Sequence, residues 1–198
     1  MPASPTINRP FRFRSWATLA VAAGAIAVGA SPAWRDTLLY RRIELTDGEL
    51  WRIWSGHLVH FGWRHLLADL AIFAAAGGWL ESVTPRTTRL YLGFAPAAIS
   101  ASLYLADPEL AFYGGLSGLA IGLLTLLALV QLRRDRHAQR WLWPAVLALV
   151  AGKLAIEAIS HTPLLSDFGP GIKVSTLSHL GGIACALFAW PWALREAE

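Results

Sequence analysis

The sequence has 198 residues, of which 55% are hydrophobic and only 15% charged. Soluble globular domains carry nearer a quarter charged residues, so this balance argues against an ordinary soluble domain and points into the bilayer. The net charge of +4 does not call for nucleic acid, because the arginines fall between apolar runs rather than on a basic face interleaved with aromatics.

In chain order, Arg9, Arg12 and Arg14 precede a first apolar run at about 15–34. ASPAW near Ala30 faintly resembles a signal cleavage site, yet the run is as long as a membrane span and longer than a signal core, so it reads as a retained anchor. Further apolar runs follow at about 63–81, 88–105, 116–132, 141–160 and 176–194, each near the ~20 residues that cross a bilayer as helix. ESVTPRTTR, ADPEL, RRDRHAQR and LLSDFGPGIK separate them as turn and charge signals. The expected fold is an all-α integral membrane bundle of six transmembrane helices in a single domain, 1–198, with a lipid bilayer as its partner. The ten tryptophans suit headgroup-level belts. The single cysteine, Cys185, excludes an internal disulfide and a cysteine-based zinc site.

Orientation follows from Lys and Arg. With the N-terminus inside, the cytoplasmic segments hold Arg9, Arg12, Arg14, Arg86, Arg89, Arg133, Arg134, Arg136, Arg140 and Arg195, against Arg35, Arg41, Arg42, Arg52 and Lys173 outside. That bias predicts both termini cytoplasmic. The second, fourth and sixth helices then descend from the outer face, which places His65, Ser117 and His179 at one depth on one side.

Ser117 lies in YGGLSGLAIG, where Gly115 and Gly118 remove side chains and allow close approach of a helix or a substrate backbone. The helix start also leaves unpaired N–H groups that favour negative charge. A glycine-flanked serine in a membrane helix is more often a packing element, so GLSG alone does not establish nucleophilic chemistry. His179 shares its helix face with Gly182 and Ala186, a small-residue stripe fit for a close neighbour. His65 and Asp69 are i,i+4, and His57 and His60 precede them in a loop. Zinc on His60, His65 and Asp69, or haem between paired histidines, are rival readings. Neither has tight ligand spacing, and neither explains the serine, so no metal is expected. Lys153 and Glu157 at i,i+4 read as a mutual ion pair. Lys153 is expected ~15 Å or more below Ser117 by helical rise, too deep to serve it as a base.

ELWR (Glu49 to Arg52), GHLVHFGWRHLLAD (Gly56 to Asp69), GGWLE (Gly77 to Glu81), GLSG (Gly115 to Gly118) and HLGGIACA (His179 to Ala186) together resemble the rhomboid intramembrane serine proteases in order, spacing and helix assignment. The compact chain is most similar to the rhombosortase branch, associated with substrates that bear a C-terminal Gly-Gly-containing sorting helix. The resemblance implies a serine endopeptidase, without cofactor, that cleaves single-pass membrane proteins near the periplasmic face of a bacterial inner membrane. It implies Ser117 as nucleophile and His179 as general base in a dyad with no third carboxylate. His65, the Ser117 N–H and the Asp69 position would hold the oxyanion. Gly115, Gly118, His60 and Gly182 would serve substrate binding or structure. Trp51 and Arg52 would belong to an outer loop resting in the membrane, LLSDFGPGIK would cap the site, and the fifth helix would be a lateral gate.

Two positions depart from the resemblance. Where rhomboids commonly carry Asn stands Asp69, expected either to be protonated and donate a hydrogen bond or only to orient His65. Four residues after the serine stands Ile121 in place of a frequent aromatic, so His179 must be oriented from elsewhere. These departures keep a non-cleaving protein that binds membrane helices as the alternative function, with a transporter or haem protein as a third class.

Overall fold

The computed structural model describes residues 15–134, 141–160 and 175–198. Arg9, Arg12, Arg14, His137, His161 and the expected LLSDFGPGIK cap lie outside the described residues. The helices are α1 (Trp16–Gly29), α2 (Pro32–Leu38), α3 (Arg42–Thr46), α4 (Arg52–Ser55), α5 (Trp63–Val83), α6 (Pro85–Ala106), α7 (Ser117–Arg134), α8 (Leu142–Ser160) and α9 (Thr176–Ala197). A 3₁₀ turn, Gly56–Leu58, leads toward α5, and β1 (Tyr40–Arg41) pairs antiparallel with β2 (Phe112–Tyr113), Tyr40 opposite Tyr113.

Four helices, α5, α7, α8 and α9, are each long and apolar enough to cross a membrane, and α1 with α2 raises the number to five only as a pair bent by 115°. Two of the six expected crossings therefore look different in the fold. The first run is not one helix over 15–34. Pro32 biases Ser31 away from helical geometry, Ser31 is extended at φ −124°, ψ 106°, and the chain turns there. The 14 residues of α1 rise only about 21 Å. The third run forms α6, 22 residues long, but Arg89, Tyr91, Pro96, Ser100, Ser102 and Tyr104 dilute it.

The bundle is built around α7, which is buried almost continuously from Gly118 to Ala128. Three glycines allow α9 to lie directly on it. A Cβ on Gly118 would stand 2.8 Å from the Ser178 carbonyl oxygen, one on Gly122 would collide with the Gly182 carbonyl and the Tyr91 hydroxyl, and one on Gly182 would strike the Gly118 carbonyl. The Tyr91 hydroxyl donates to the Gly182 carbonyl at 3.2 Å and adds α6 to the same crossing. Without a hydrophobic driving force between helices in lipid, such close backbone approach is what holds them together. By contrast α8 buries only Trp143, Val150 and Glu157 among its described side chains, one stripe at seven-residue spacing.

Charged groups tie the helix ends. Glu81, fully buried on α5, accepts from the N–H groups of Ala17 and Thr18 (3.2 and 2.9 Å), the Thr18 hydroxyl and Arg89 Nε. Glu196 on α9 does the same for the start of α6, through the Arg86 and Thr87 N–H groups at 2.7 and 2.8 Å. Both carboxylates meet the positive end of a helix dipole. At the opposite end, Arg42 donates to the last carbonyls of α6, those of Tyr104 and Asp107. Exposed tryptophans mark both ends: Trp34, Trp51, Trp54 and Trp63 on one, Trp16, Trp79, Trp141 and Trp192 on the other. Along α5 the step from Trp63 to Trp79 is about 24 Å of helical rise, close to a bilayer's apolar thickness, and indoles prefer its two boundaries.

His57 locks the 3₁₀ turn to α6. Its Nε2–H donates to the Pro96 carbonyl at 3.0 Å and to the Ser100 hydroxyl at 3.1 Å, while Ser100 donates to the Ile53 carbonyl. Burial pushes His57 from its ordinary 6.5 down to about 4, with nearby His60 adding to the shift and two carbonyl contacts opposing it.

Two outcomes follow for thermal unfolding in detergent. Gly182→Ala, which sets a methyl against the Gly118 carbonyl, lowers stability by roughly 1–3 kcal/mol, whereas Gly152→Ala, with open space around it, leaves the melting temperature unchanged or raises it. Because folded His57 binds its proton less readily than unfolded chain, its contribution is complete above about pH 6.5 and is lost as pH falls toward 4, about 2 kcal/mol of it by pH 5. The melting temperature therefore falls on acidification from pH 7 to 5. His57→Gln is less stable at pH 7 but lacks this part of the slope; an unchanged slope would show that His57 does not set it.

Candidate active site

The chain enters α7 through a tightly held glycine pair. The β1–β2 ladder fixes Tyr113, whose hydroxyl donates to the Gly115 carbonyl at 3.2 Å. Gly114 passes so close to Val59 that a Cβ would stand 2.8 Å from its carbonyl oxygen. Gly115 adopts φ +131°, a conformation that side chains rarely allow. Ser117 is then the first residue of α7, half-buried, with its side chain and that of Ser178 beside the Tyr113 hydroxyl. Burial pushes the Tyr113 phenol well up, so this hydroxyl keeps its proton and remains a donor.

Across the loop lies a buried polar cluster. His65 and Asp69 project from α5, with His65 Nε2 3.2 Å from Asp69 Oδ2. His60, from the segment before α5, places Nε2 3.1 Å from the same oxygen. Gly115 makes room for this cluster: a Cβ there would lie 2.9 Å from His65 Nε2 and 3.3 Å from Asp69 Oδ2. His60 Nδ1 faces the Leu58 carbonyl at 3.1 Å and so carries a proton, while the Leu116 N–H donates to His60 Nε2 at 3.3 Å. His60 Nε2 and His65 Nε2 converge on the one oxygen Asp69 Oδ2, which ties the three side chains into a single buried network. The three donor atoms also lie within 4.8 Å of one another, close enough to hold a metal ion. Their satisfied contacts fit a hydrogen-bonded network as well.

His179 stands on the first turn of α9, 1% exposed. The glycine crossing sets its helix turn against that of Ser117, since Gly118 abuts Ser178 and Gly182 abuts Gly118. His179 Nε2 is buried and has no hydrogen-bond partner among the described residues. Its Nδ1 lies 3.1 Å from Glu157 Oε2. The other oxygen of Glu157 is bound by Lys153. The expected Lys153–Glu157 pair is present. One expectation changes: Glu157 is not Lys153's partner alone, so a carboxylate does accompany the histidine.

The structure thus gathers His60, His65, Asp69, Gly115, Ser117, Gly118, His179 and Gly182 at one end of the bundle. Trp51 and Arg52 are engaged elsewhere. Trp51 is half-exposed and its indole N–H donates to the Thr37 carbonyl at 3.4 Å. Arg52 is buried, paired with Glu49 at 2.6 Å, and donates to the Asp36 and Leu39 carbonyls at 3.0 and 2.6 Å. Tyr113 and the Glu157–His179 contact carried no sequence signal beyond their occurrence in or beside apolar runs.

Residues 47–196 match the family pattern described as the Rhomboid domain, which covers most of the chain and every residue of this cluster. No curated protein sequence matches the chain. With several apolar spanning helices around the cluster, this is a multi-pass membrane protein of the lipid bilayer, and it belongs to the rhomboid family of intramembrane serine proteases, which also has inactive members.

Proposed function

We propose that the chain is an active intramembrane serine endopeptidase in which Ser117 is the nucleophile and His179 the general base. The observation that carries this reading is the glycine crossing of α7 and α9, which opposes the turn bearing Ser117 to a buried histidine whose Nε2 has no partner among the described residues. In the reaction the Ser117 hydroxyl attacks the scissile carbonyl while its proton passes to His179 Nε2. The tetrahedral oxyanion is met by the Ser117 backbone N–H at the start of α7 and by the His65–Asp69 pair, beside Gly115. Collapse expels the amine, which takes the proton from His179, and water then hydrolyses the acyl-serine with the histidine again as base.

The rest of the reading concerns placement and substrate. Six crossings, with α1–α2 and α6 completing the four clear spans, would leave both termini cytoplasmic and the site near the periplasmic face of a bacterial inner membrane. The arginine bias at the α7–α8 end supports this orientation. The substrate is a single-pass membrane protein, and the motif set of the rhombosortase branch points to C-terminal Gly-Gly sorting helices. Trp51 and the neighbouring exposed indoles would rest among the headgroups beside the entrance.

A non-cleaving helix-binding role is the second reading, favoured by His65 Nε2 facing Asp69. Reconstitution in liposomes with a Gly-Gly-tailed single-span substrate separates the two. Wild type cleaves and reacts with a fluorophosphonate, while Ser117→Ala and His179→Ala each lower turnover by at least about 10³-fold. Cleavage that survives Ser117→Ala would overturn the assignment. Asp69→Asn retains most activity if a protonated carboxyl does the work of an amide there. EDTA leaves turnover unchanged; a loss restored by zinc would transfer His60, His65 and Asp69 to a metal.

A further inference from the structure

Glu157 occupies a position that an apolar helix does not give away freely. Most described side chains of α8 face outward, and Leu149 and Ile159 are among the most exposed apolar residues described. Within the inward stripe of Trp143, Val150 and Glu157, the last is a carboxylate only 4% exposed. An unpaired buried carboxylate is costly, and Lys153 one turn away provides compensation. That pairing occupies Oε1 alone. The second oxygen, Oε2, lies 3.1 Å from His179 Nδ1, and the imidazole is itself enclosed. A carboxylate oxygen only accepts, so Nδ1 carries the proton and Nε2 holds the lone pair. Nε2 is the nitrogen that has no partner among the described residues.

We infer that Glu157 is the positioning residue for His179, fixing the imidazole in the Nδ1–H tautomer and stabilising the imidazolium formed when it takes the Ser117 proton. The inference rests on the reading of Ser117 and His179 as nucleophile and base. When the Oγ–C bond forms, the Oγ–H proton moves to Nε2, and the cation now has N–H groups on both nitrogens. Its Nδ1–H stays hydrogen-bonded to the Glu157 carboxylate, which takes no proton itself. The Nε2 proton then leaves with the amine as the C–N bond breaks. Lys153 keeps Glu157 ionised from the opposite oxygen. Because Glu157 belongs to α8 and His179 to α9, the base is correctly set only while α8 lies against α9.

The test uses the full-length protein in liposomes with the single-span substrate. Glu157→Gln keeps the volume and removes the charge. Expected is a fall in kcat of about 10²-fold or more with KM within about threefold, matched by slower fluorophosphonate labelling of Ser117, and partial recovery in Glu157→Asp. The double variant Lys153→Met with Glu157→Gln removes both charges and guards against failure to fold. It is expected to melt near the wild-type temperature yet keep the low kcat. A folded Glu157→Gln protein with wild-type kcat, or a double variant restored to wild-type turnover, overturns the inference by making Glu157 an anchor for Lys153 only. A rise in KM at constant kcat overturns it too, since that would place Glu157 in substrate entry. Failure of the underlying reading is visible separately, as cleavage by Ser117→Ala.

Discussion

Gly118, Gly122 and Gly182 leave no side chain between α7 and α9, and the remaining architecture is arranged around that approach. In lipid the helices gain little by hiding apolar surface from one another, so association depends on close packing and on polar contacts between backbones. A single methyl at the crossing would strike a carbonyl group, which keeps the register of the two helices within narrow limits. Both helices begin at the same end of the bundle, so the register sets the turn that bears Ser117 against the turn that bears His179. The Tyr91 hydroxyl on the Gly182 carbonyl extends the constraint to α6.

The two ends of the bundle are stabilised by different means, and the difference follows the location of the cluster. Away from it, Glu81 and Glu196 reach across to the starts of α1 and α6, so long helices are joined through charge-assisted bonds to their unpaired N–H groups. Around the cluster the chain is irregular and its backbone groups need partners that helices do not provide. There Arg52 serves the Asp36 and Leu39 carbonyls, Arg42 the end of α6, and His57 the turn that precedes α5. These bonds tie down the loops and helix ends from which the cluster is assembled.

Much of the cluster could be read in advance because polar residues in apolar runs are conspicuous, and because alternating helices force every second one to start on the same side. His65, Asp69, Ser117 and His179 were found that way. The break at Ser31–Pro32 was hidden because the residues on both sides stay apolar, and hydropathy does not register a bend. The β1–β2 ladder has two residues per strand and no periodicity to detect. Arg52 read as a membrane-loop residue because the two backbone carbonyls it serves, those of Asp36 and Leu39, lie 16 and 13 residues away in sequence. Glu157 was assigned to Lys153 because i,i+4 spacing is visible in a sequence, whereas the rotation that aims the second oxygen at α9 is not. An α8 apolar on nearly every face leaves that rotation undetermined until the neighbours are in place.

An imidazole can act as a base only if its ring is held and its proton lies on the far nitrogen. Packing alone does not fix this, because a ring flip exchanges nitrogen for carbon at nearly constant volume. One turn after Ser117 stands Ile121, buried and aliphatic, which can press on a ring but cannot tell its nitrogens apart. A carboxylate can, since it accepts from N–H and repels a lone pair. Two buried histidines at this end of the bundle each have a carboxylate beside them: His65 has Asp69 on its own helix, and His179 has Glu157 on α8. Two bare carboxylates this deep would oppose an oxyanion, and each has compensating company, Asp69 from His60 and His65, Glu157 from Lys153. An aliphatic residue at position 121 is therefore compatible with an oriented base, because the discrimination between the two nitrogens has moved from α7 to α8.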